Sequence, residues 1–125
     1  MSTPLWTTTV TRIGIDAQEM FDAGVMILFA EPVPPALADV SVVHTPAGAP
    51  GREIRVGDVF EVAGRQYPVD EVGEKATENL RELGHVVLYL NSVDQTLLPG
   101  AVHVRGDAVP AAPPAAGEQI ILRSA

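Results

Sequence analysis

Three histidines are the side chains of this 125-residue chain that are best suited to chemistry near neutral pH. They are His44, His85 and His103, and a neutral imidazole among them would serve as a nucleophile, a general base or a metal ligand. The chain contains no cysteine, which excludes disulfides, thiolate metal sites and a cysteine nucleophile. Nucleophilic chemistry would therefore use these histidines, hydroxyls, carboxylates or Lys75, which is the one lysine.

The spacing of the histidines matches no metal-binding motif, since neither a His-x-x-x-His pattern nor a histidine–carboxylate box occurs. Strands that are distant in sequence can still be neighbours in a barrel, so a small histidine–metal barrel enzyme stays open as an alternative. The chain also lacks the motifs G-x-S-x-G and G-x-G-x-x-G and the lysine motif of phosphate-binding loops. The sequence thus predicts neither a metal nor a cofactor.

His44 has the most suggestive local setting. It ends a predicted strand, residues 40–44, and a loop rich in Gly and Pro follows. Functional side chains often lie where a rigid strand enters a loop, so this position favours an exposed ring. The N–H groups of the loop and the Thr45 hydroxyl would then surround an anion, and Arg52 or Arg55 would add positive charge. In the alternative interpretation, His44 continues the apolar face of its strand and is partly buried.

The other two histidines lie in weaker settings. His85 begins a strand directly after Gly84, where the carbonyl end of a preceding helix would favour a charged imidazole. Arg81 precedes His85 by four residues and would reach an anion bound near it, although a surface role is the alternative. His103 lies between two valines of a strand and points away from both, a pattern that is more often structural than functional.

The elements that must position these residues are short. Eleven Gly and eleven Pro separate brief apolar runs, which is typical of an all-β fold. The one helical stretch is residues 74–83, and tight turns are predicted at Ala63-Gly64 and Asn91-Ser92. The segments with strand character are residues 6–13, 24–30, 40–44, 58–62, 66–72, 85–90, 101–104 and 119–122. Together they predict a small, six- to seven-stranded, partly closed β-barrel with one short helix.

Charge and hydropathy narrow the function further. The formal net charge of -8 argues against a nucleic-acid partner, which requires a basic surface. No signal-peptide pattern occurs, and no apolar run approaches the roughly 20 residues of a membrane-spanning helix, so we expect a cytoplasmic protein without direct membrane insertion. The exposed strand edges of a partly closed barrel would favour a homodimer.

Four segments, in this order along the chain, resemble one protein family. The first and second are Thr8-Thr9-Val10-Thr11-Arg12-Ile13-Gly14, and Tyr67-Pro68-Val69 followed by Val72-Gly73. The third and fourth are Asn79-Leu80-Arg81-Glu82-Leu83-Gly84-His85-Val86 and Pro99-Gly100-Ala101-Val102-His103-Val104. The chain resembles the glucitol/sorbitol-specific enzyme IIA component of the bacterial phosphoenolpyruvate-dependent sugar phosphotransferase system. The resemblance extends from about Thr7 to about Leu122 and implies a single enzyme IIA domain over residues 1–125.

The resemblance implies a phosphocarrier. Such a protein accepts a phosphoryl group from the carrier protein HPr on a histidine and passes it to a cysteine of the sugar-specific IIB component, which works with the membrane component IIC. The position of the family's phosphorylated histidine is His44 in this sequence. Relatives carry a Cys and a second His just after it, whereas residues 45–48 here are Thr-Pro-Ala-Gly, so a helper must come from elsewhere. The predicted supporting residues are His85, His103, Thr45 and Arg81. The alternative function is a non-catalytic, regulatory β-barrel binding module.

Overall fold

The computed structural model describes residues 4–62, 64–90, 96–106 and 114–124. The described strands are β1 (Pro4–Ile13), β2 (Val25–Ala30), β3 (Ser41–Pro46), β4 (Val59–Val62), β5 (Arg65–Val72), β6 (Val86–Leu90), β7 (Ala101–Val104) and β8 (Gln119–Arg123). The described helices are α1 (Ala17–Asp22), α2 (Pro35–Ala38) and α3 (Ala76–Leu83). Ala63 and the predicted Asn91-Ser92 turn lie outside the described residues.

The strands form a closed barrel in the order β1-β3-β2-β6-β7-β5-β4-β8, and β8 pairs with β1 to complete it. The pairs β2–β3 and β6–β7 are parallel, and the other six are antiparallel. The predicted all-β barrel is confirmed, but it has eight strands and is closed. Because a closed barrel has no free strand edge, the argument for a homodimer from exposed edges no longer applies.

The structure also contains two helices that the sequence did not predict. Helix α1 has six residues and buries Ala17 and Phe21, while α2 has four residues and begins at Pro35. Each is too short to show the apolar period of a helix in the sequence. Helix α3 agrees with the predicted helical stretch and ends at Gly84, whose φ of 61° is left-handed. No described helix has the length and apolar character needed to cross a bilayer.

The barrel interior is apolar, with two notable exceptions. On β1, the alternation of the strand turns Trp6, Thr8 and Val10 inward, and all three are buried. On β3, His44 lies on the same face as Val42, which belongs to the core cluster. Thr8 and His44 are therefore polar side chains on otherwise apolar inner faces. Buried polar groups of this kind need hydrogen-bond partners.

Candidate functional site

His44 lies on β3 between two neighbouring strands, opposite Val10 of β1 and Ala30 of β2. Its relative exposure is 0%. The expectation of an exposed ring is therefore wrong, and the alternative in which His44 continues the apolar face of its strand describes its burial correctly. The physical reason is that the ring points into the barrel, where the chain around Gly84 covers it.

Both ring nitrogens of His44 are hydrogen-bonded. Nε2 lies 2.7 Å from the carbonyl oxygen of Gly84, and Nδ1 lies 2.6 Å from Oγ1 of Thr8. A carbonyl can only accept, so Nε2 carries the proton and donates it to Gly84. Nδ1 is then unprotonated and accepts from the Thr8 hydroxyl. The two contacts hold the imidazole in one neutral tautomer and one orientation.

The position of the Gly84 carbonyl follows from a close approach of two chain segments. The residue has left-handed backbone geometry after α3, and a Cβ added to it would lie only 2.3 Å from Cβ of Ala30. Ala30 is the β2 partner of His44. Glycine thus lets the end of α3 lie against β2, and this places the carbonyl at the histidine ring.

Trp6 makes the third contact with the ring. The two rings are nearly perpendicular, at 85°, with their centroids 5.6 Å apart, and Trp6 is 3% exposed. Its indole Nε1 has no hydrogen-bond partner among the described residues. Trp6 is the one tryptophan of the chain, so its fluorescence reports on the surroundings of His44.

Burial lowers the pKa of the His44 imidazole below its ordinary value of 6.5, and the hydrogen bond to Gly84 offsets part of this shift. The ring is therefore neutral at pH 7. A neutral imidazole is suited to nucleophilic chemistry through its unprotonated nitrogen, which in this tautomer is Nδ1.

This lowered pKa has a consequence for stability. As pH falls below about 6.5, the unfolded chain binds a proton at His44 that the folded protein excludes, so we expect the free energy of unfolding to decrease. The slope attributable to His44 is up to about 1.4 kcal/mol per pH unit and ends at the folded-state pKa. Urea unfolding followed by Trp6 fluorescence at pH 7.5, 6.5 and 5.5 measures it. Subtracting the curve of His44→Gln isolates this residue, and identical pH slopes in both proteins would contradict the prediction.

A groove of about 390 Å³ lies over this end of the barrel. Its walls include Ala30, Glu31, Pro46, Arg81 and Gly84. Gly84, whose carbonyl accepts from Nε2, is part of the groove wall, whereas His44 itself is not. Thr8, on the Nδ1 side, is not part of the groove wall. The hydrogen-bond partner of Nε2, and not that of Nδ1, is therefore at the groove wall.

Arg81 is the cation of this groove. Its side chain is exposed, and it forms no ion pair with any described residue. The two arginines of the loop after β3 are placed differently. Arg52 binds Asp58 through both terminal nitrogens, at 2.8 and 2.9 Å, and the Arg55 backbone N–H donates to the same carboxylate. Arg81 lines the groove, whereas neither Arg52 nor Arg55 does.

The predicted supporting residues are not all at the site. Thr45 follows His44 on β3 and is exposed, so alternation turns its hydroxyl away from the ring. Nδ1 of His85 donates to the carbonyl of Leu28 at 3.0 Å, and its ring stacks on Phe29 with centroids 4.5 Å apart. Among the described residues, no hydrogen bond joins His85 to His44. His85 does, however, directly follow Gly84.

His103 is remote from His44. It lies on β7, and β2 and β6 separate that strand from β3. Its neighbours Val102 and Val104 belong to the core, so the ring lies on the outer face, 3.3 Å from Glu71 and edge-on to Tyr89. No group of three or more His, Asp or Glu side chains suited to a metal occurs in the described ranges. The arrangement that the metal-enzyme alternative requires is therefore absent from them.

Sequence reasoning missed three residues that contact His44, namely Trp6, Thr8 and Gly84. Gly84 was recognised only as the end of a helix. Thr8 is one of four threonines within residues 6–13, but it is the one that shares the inner face with Trp6 and Val10. A single hydroxyl on an apolar face needs a partner, and this signal could have identified it.

Comparison with known proteins places this chain in a family. The model of the PTS system glucitol/sorbitol-specific IIA component matches residues 5–121. The glucitol/sorbitol-specific EIIA components of Shigella flexneri and Escherichia coli (strain K12) are each 36% identical over 104 residues, which covers 83% of this chain and 84% of each relative. The crystal structure of a PTS system IIA component from Enterococcus faecalis V583 has the same fold, with a TM-score of 0.75 and 21% identity over 91% of this chain and 96% of that one. The chain therefore belongs to the family of glucitol/sorbitol-specific IIA components of the phosphotransferase system.

Proposed function

We propose that this protein is a phosphocarrier of glucitol/sorbitol uptake in which His44 accepts a phosphoryl group from HPr and passes it to the IIB component. Family membership supports the class of reaction and of partner. The observation that carries the assignment to His44 is its neutral imidazole, which is held at both nitrogens and whose Nε2 partner, Gly84, forms part of a groove wall. IIB and the membrane component IIC are the partners that this role requires.

The transfer uses Nε2 as the attacking atom, in the tautomer that leaves this nitrogen unprotonated, because its partner Gly84 forms part of the groove wall. Its bond to the phosphorus forms as the bond between phosphorus and the donor's histidine nitrogen breaks. Nε2 must first give up the proton that it donates to Gly84, because a protonated ring nitrogen has no free lone pair, and Nδ1 must take one by exchange with water that enters once Gly84 moves. The reactive ring then carries its single N–H on Nδ1, before and after the transfer. The Gly84 carbonyl must leave Nε2 for this to occur, since a carbonyl oxygen cannot share that position with a phosphoryl group.

The charged residues of the groove wall are one arginine and two glutamates. Arg81 offers a guanidinium to the oxygens of the transferred group, while Glu31 and Glu82 of the same groove oppose negative charge. Phosphoryl transfer depends mainly on positioning and on charge stabilisation. A carrier must also release its phosphoryl group, and a single arginine opposed by carboxylates avoids excessive stabilisation of the phosphorylated state.

His85 supports this site through its position in the chain. Its ring anchors the residue after Gly84 by binding the Leu28 carbonyl and stacking on Phe29. We expect His85→Ala to slow phosphorylation about tenfold without abolishing it, because the anchor is lost while His44 stays intact. Rapid-quench labelling measures the rate, and Glu78→Ala, at an exposed position of α3 that does not line the groove, is the control. Equal rates for His85→Ala and the wild type would show that the ring has no supporting part.

The test of the function is reconstitution with phosphoenolpyruvate, enzyme I and HPr. A carrier takes up one acid-labile, base-stable phosphoryl group, and mass spectrometry under basic conditions locates it on His44. The phosphorylated protein then loses the group when IIB is added. A regulatory binding module takes up no label under these conditions, and that result would overturn the proposal.

A further inference from the structure

We infer that Thr8 is a positioning residue of the transfer, whose hydroxyl serves Nδ1 of His44 as a donor before phosphorylation and as an acceptor after it. This inference rests on the proposed function of His44. The sequence around Thr8 does not suggest a role in phosphoryl transfer, and Thr8 precedes His44 by 36 positions. It follows from the tertiary contact alone.

The contact is short and fully enclosed. Thr8 Oγ1 lies 2.6 Å from Nδ1, and the two residues are 1% and 0% exposed. Water therefore does not compete for either group, and the Thr8 hydroxyl is the hydrogen-bond partner of Nδ1. Valine, which has nearly the same shape as threonine, would fill the same space on an inner face that is otherwise apolar. Packing alone thus gives no reason for a hydroxyl at this position.

The chemistry of phosphoryl transfer gives a reason for a hydroxyl at position 8. In the unphosphorylated ring, Nδ1 is an unprotonated acceptor and needs a donor. Once Nε2 carries phosphorus, Nδ1 carries the proton and needs an acceptor. A hydroxyl is both donor and acceptor, so Thr8 can serve both states with its oxygen in place. A backbone carbonyl could serve only the second state, and a carboxylate would stabilise a charged imidazolium that is a poor nucleophile.

The experiment compares Thr8→Val with Thr8→Ser, and uses Thr9→Val as a matched control because Thr9 is exposed on the same strand. The first measurement is the ¹⁵N shifts of the His44 ring in the unphosphorylated protein. The wild type and Thr8→Ser should show the proton on Nε2, whereas Thr8→Val should show a mixture of tautomers. The second measurement is the rate of phosphoryl transfer from HPr, which should fall about tenfold in Thr8→Val and less than threefold in the other two variants.

Thr8→Ser separates hydrogen bonding from packing, since serine keeps the hydroxyl and lacks the methyl group. If both Thr8 variants were slow, or if Thr8→Val kept the wild-type nitrogen shifts and rate, the inference would be overturned. Failure of the proposed function looks different. In that case the wild type itself takes no label, which removes the transfer role of Thr8 together with that of His44.

Discussion

His44→Gln is expected to take up no phosphoryl group, with labelling by phosphoenolpyruvate, enzyme I and HPr falling at least about a thousandfold, to background. An amide nitrogen is not a nucleophile toward phosphorus, so the loss follows from chemistry rather than from misfolding. The glutamine amide can still donate to the Gly84 carbonyl, as Nε2 does, which preserves the local structure.

The matched control for this loss is His103→Gln. It removes a second buried histidine from the barrel wall, but two strands separate it from the site. We expect His103→Gln to be labelled at the wild-type rate, and both variants to show the cooperative unfolding of an intact barrel. Label that survived in His44→Gln and disappeared in His103→Gln would transfer the proposed role to the other histidine.

Gly84→Ala is expected to lower the free energy of unfolding by about 2–5 kcal/mol and to slow phosphorylation. The left-handed backbone costs an L-residue about 1–2 kcal/mol, and overpacking adds about 1–3 kcal/mol. The second cost arises because the new Cβ would lie 2.3 Å from Cβ of Ala30. To relieve that contact, the end of α3 must move away from β2, and the carbonyl that holds Nε2 moves with it.

Two comparisons isolate the steric part of this effect. Gly64 also has a positive φ, of 79°, but an added Cβ meets nothing within 4 Å, so Gly64→Ala should cost only the backbone share. The double variant Ala30→Gly with Gly84→Ala removes the conflicting methyl group and should recover part of the stability and of the rate. Chemical denaturation and rapid-quench labelling measure these quantities. Equal destabilisation by Gly84→Ala and Gly64→Ala would contradict the close approach of α3 to β2.

Local patterns in the sequence were enough for much of the fold. Alternating and continuous apolar runs bounded by Gly and Pro predicted the strands, including the one that ends near His44, and Gly84 marked the end of α3. Alternation also placed His103 away from the core, as observed. The same rule puts Thr45 on the face opposite His44. Thr45 was nevertheless predicted as a supporting residue, because its hydroxyl directly follows the histidine in sequence.

The sequence by itself thus determined the all-β class, which follows from residue types and short-range spacing, and the resemblance of its segments identified the family. The tertiary structure alone decided the closure of the barrel, the complete burial of His44 and the proton on its Nε2. Closure and register bring Thr8 and Gly84, 36 residues before and 40 residues after His44, to its two nitrogens. No local periodicity encodes such contacts, since they arise from the pairing of distant strands around one shared core.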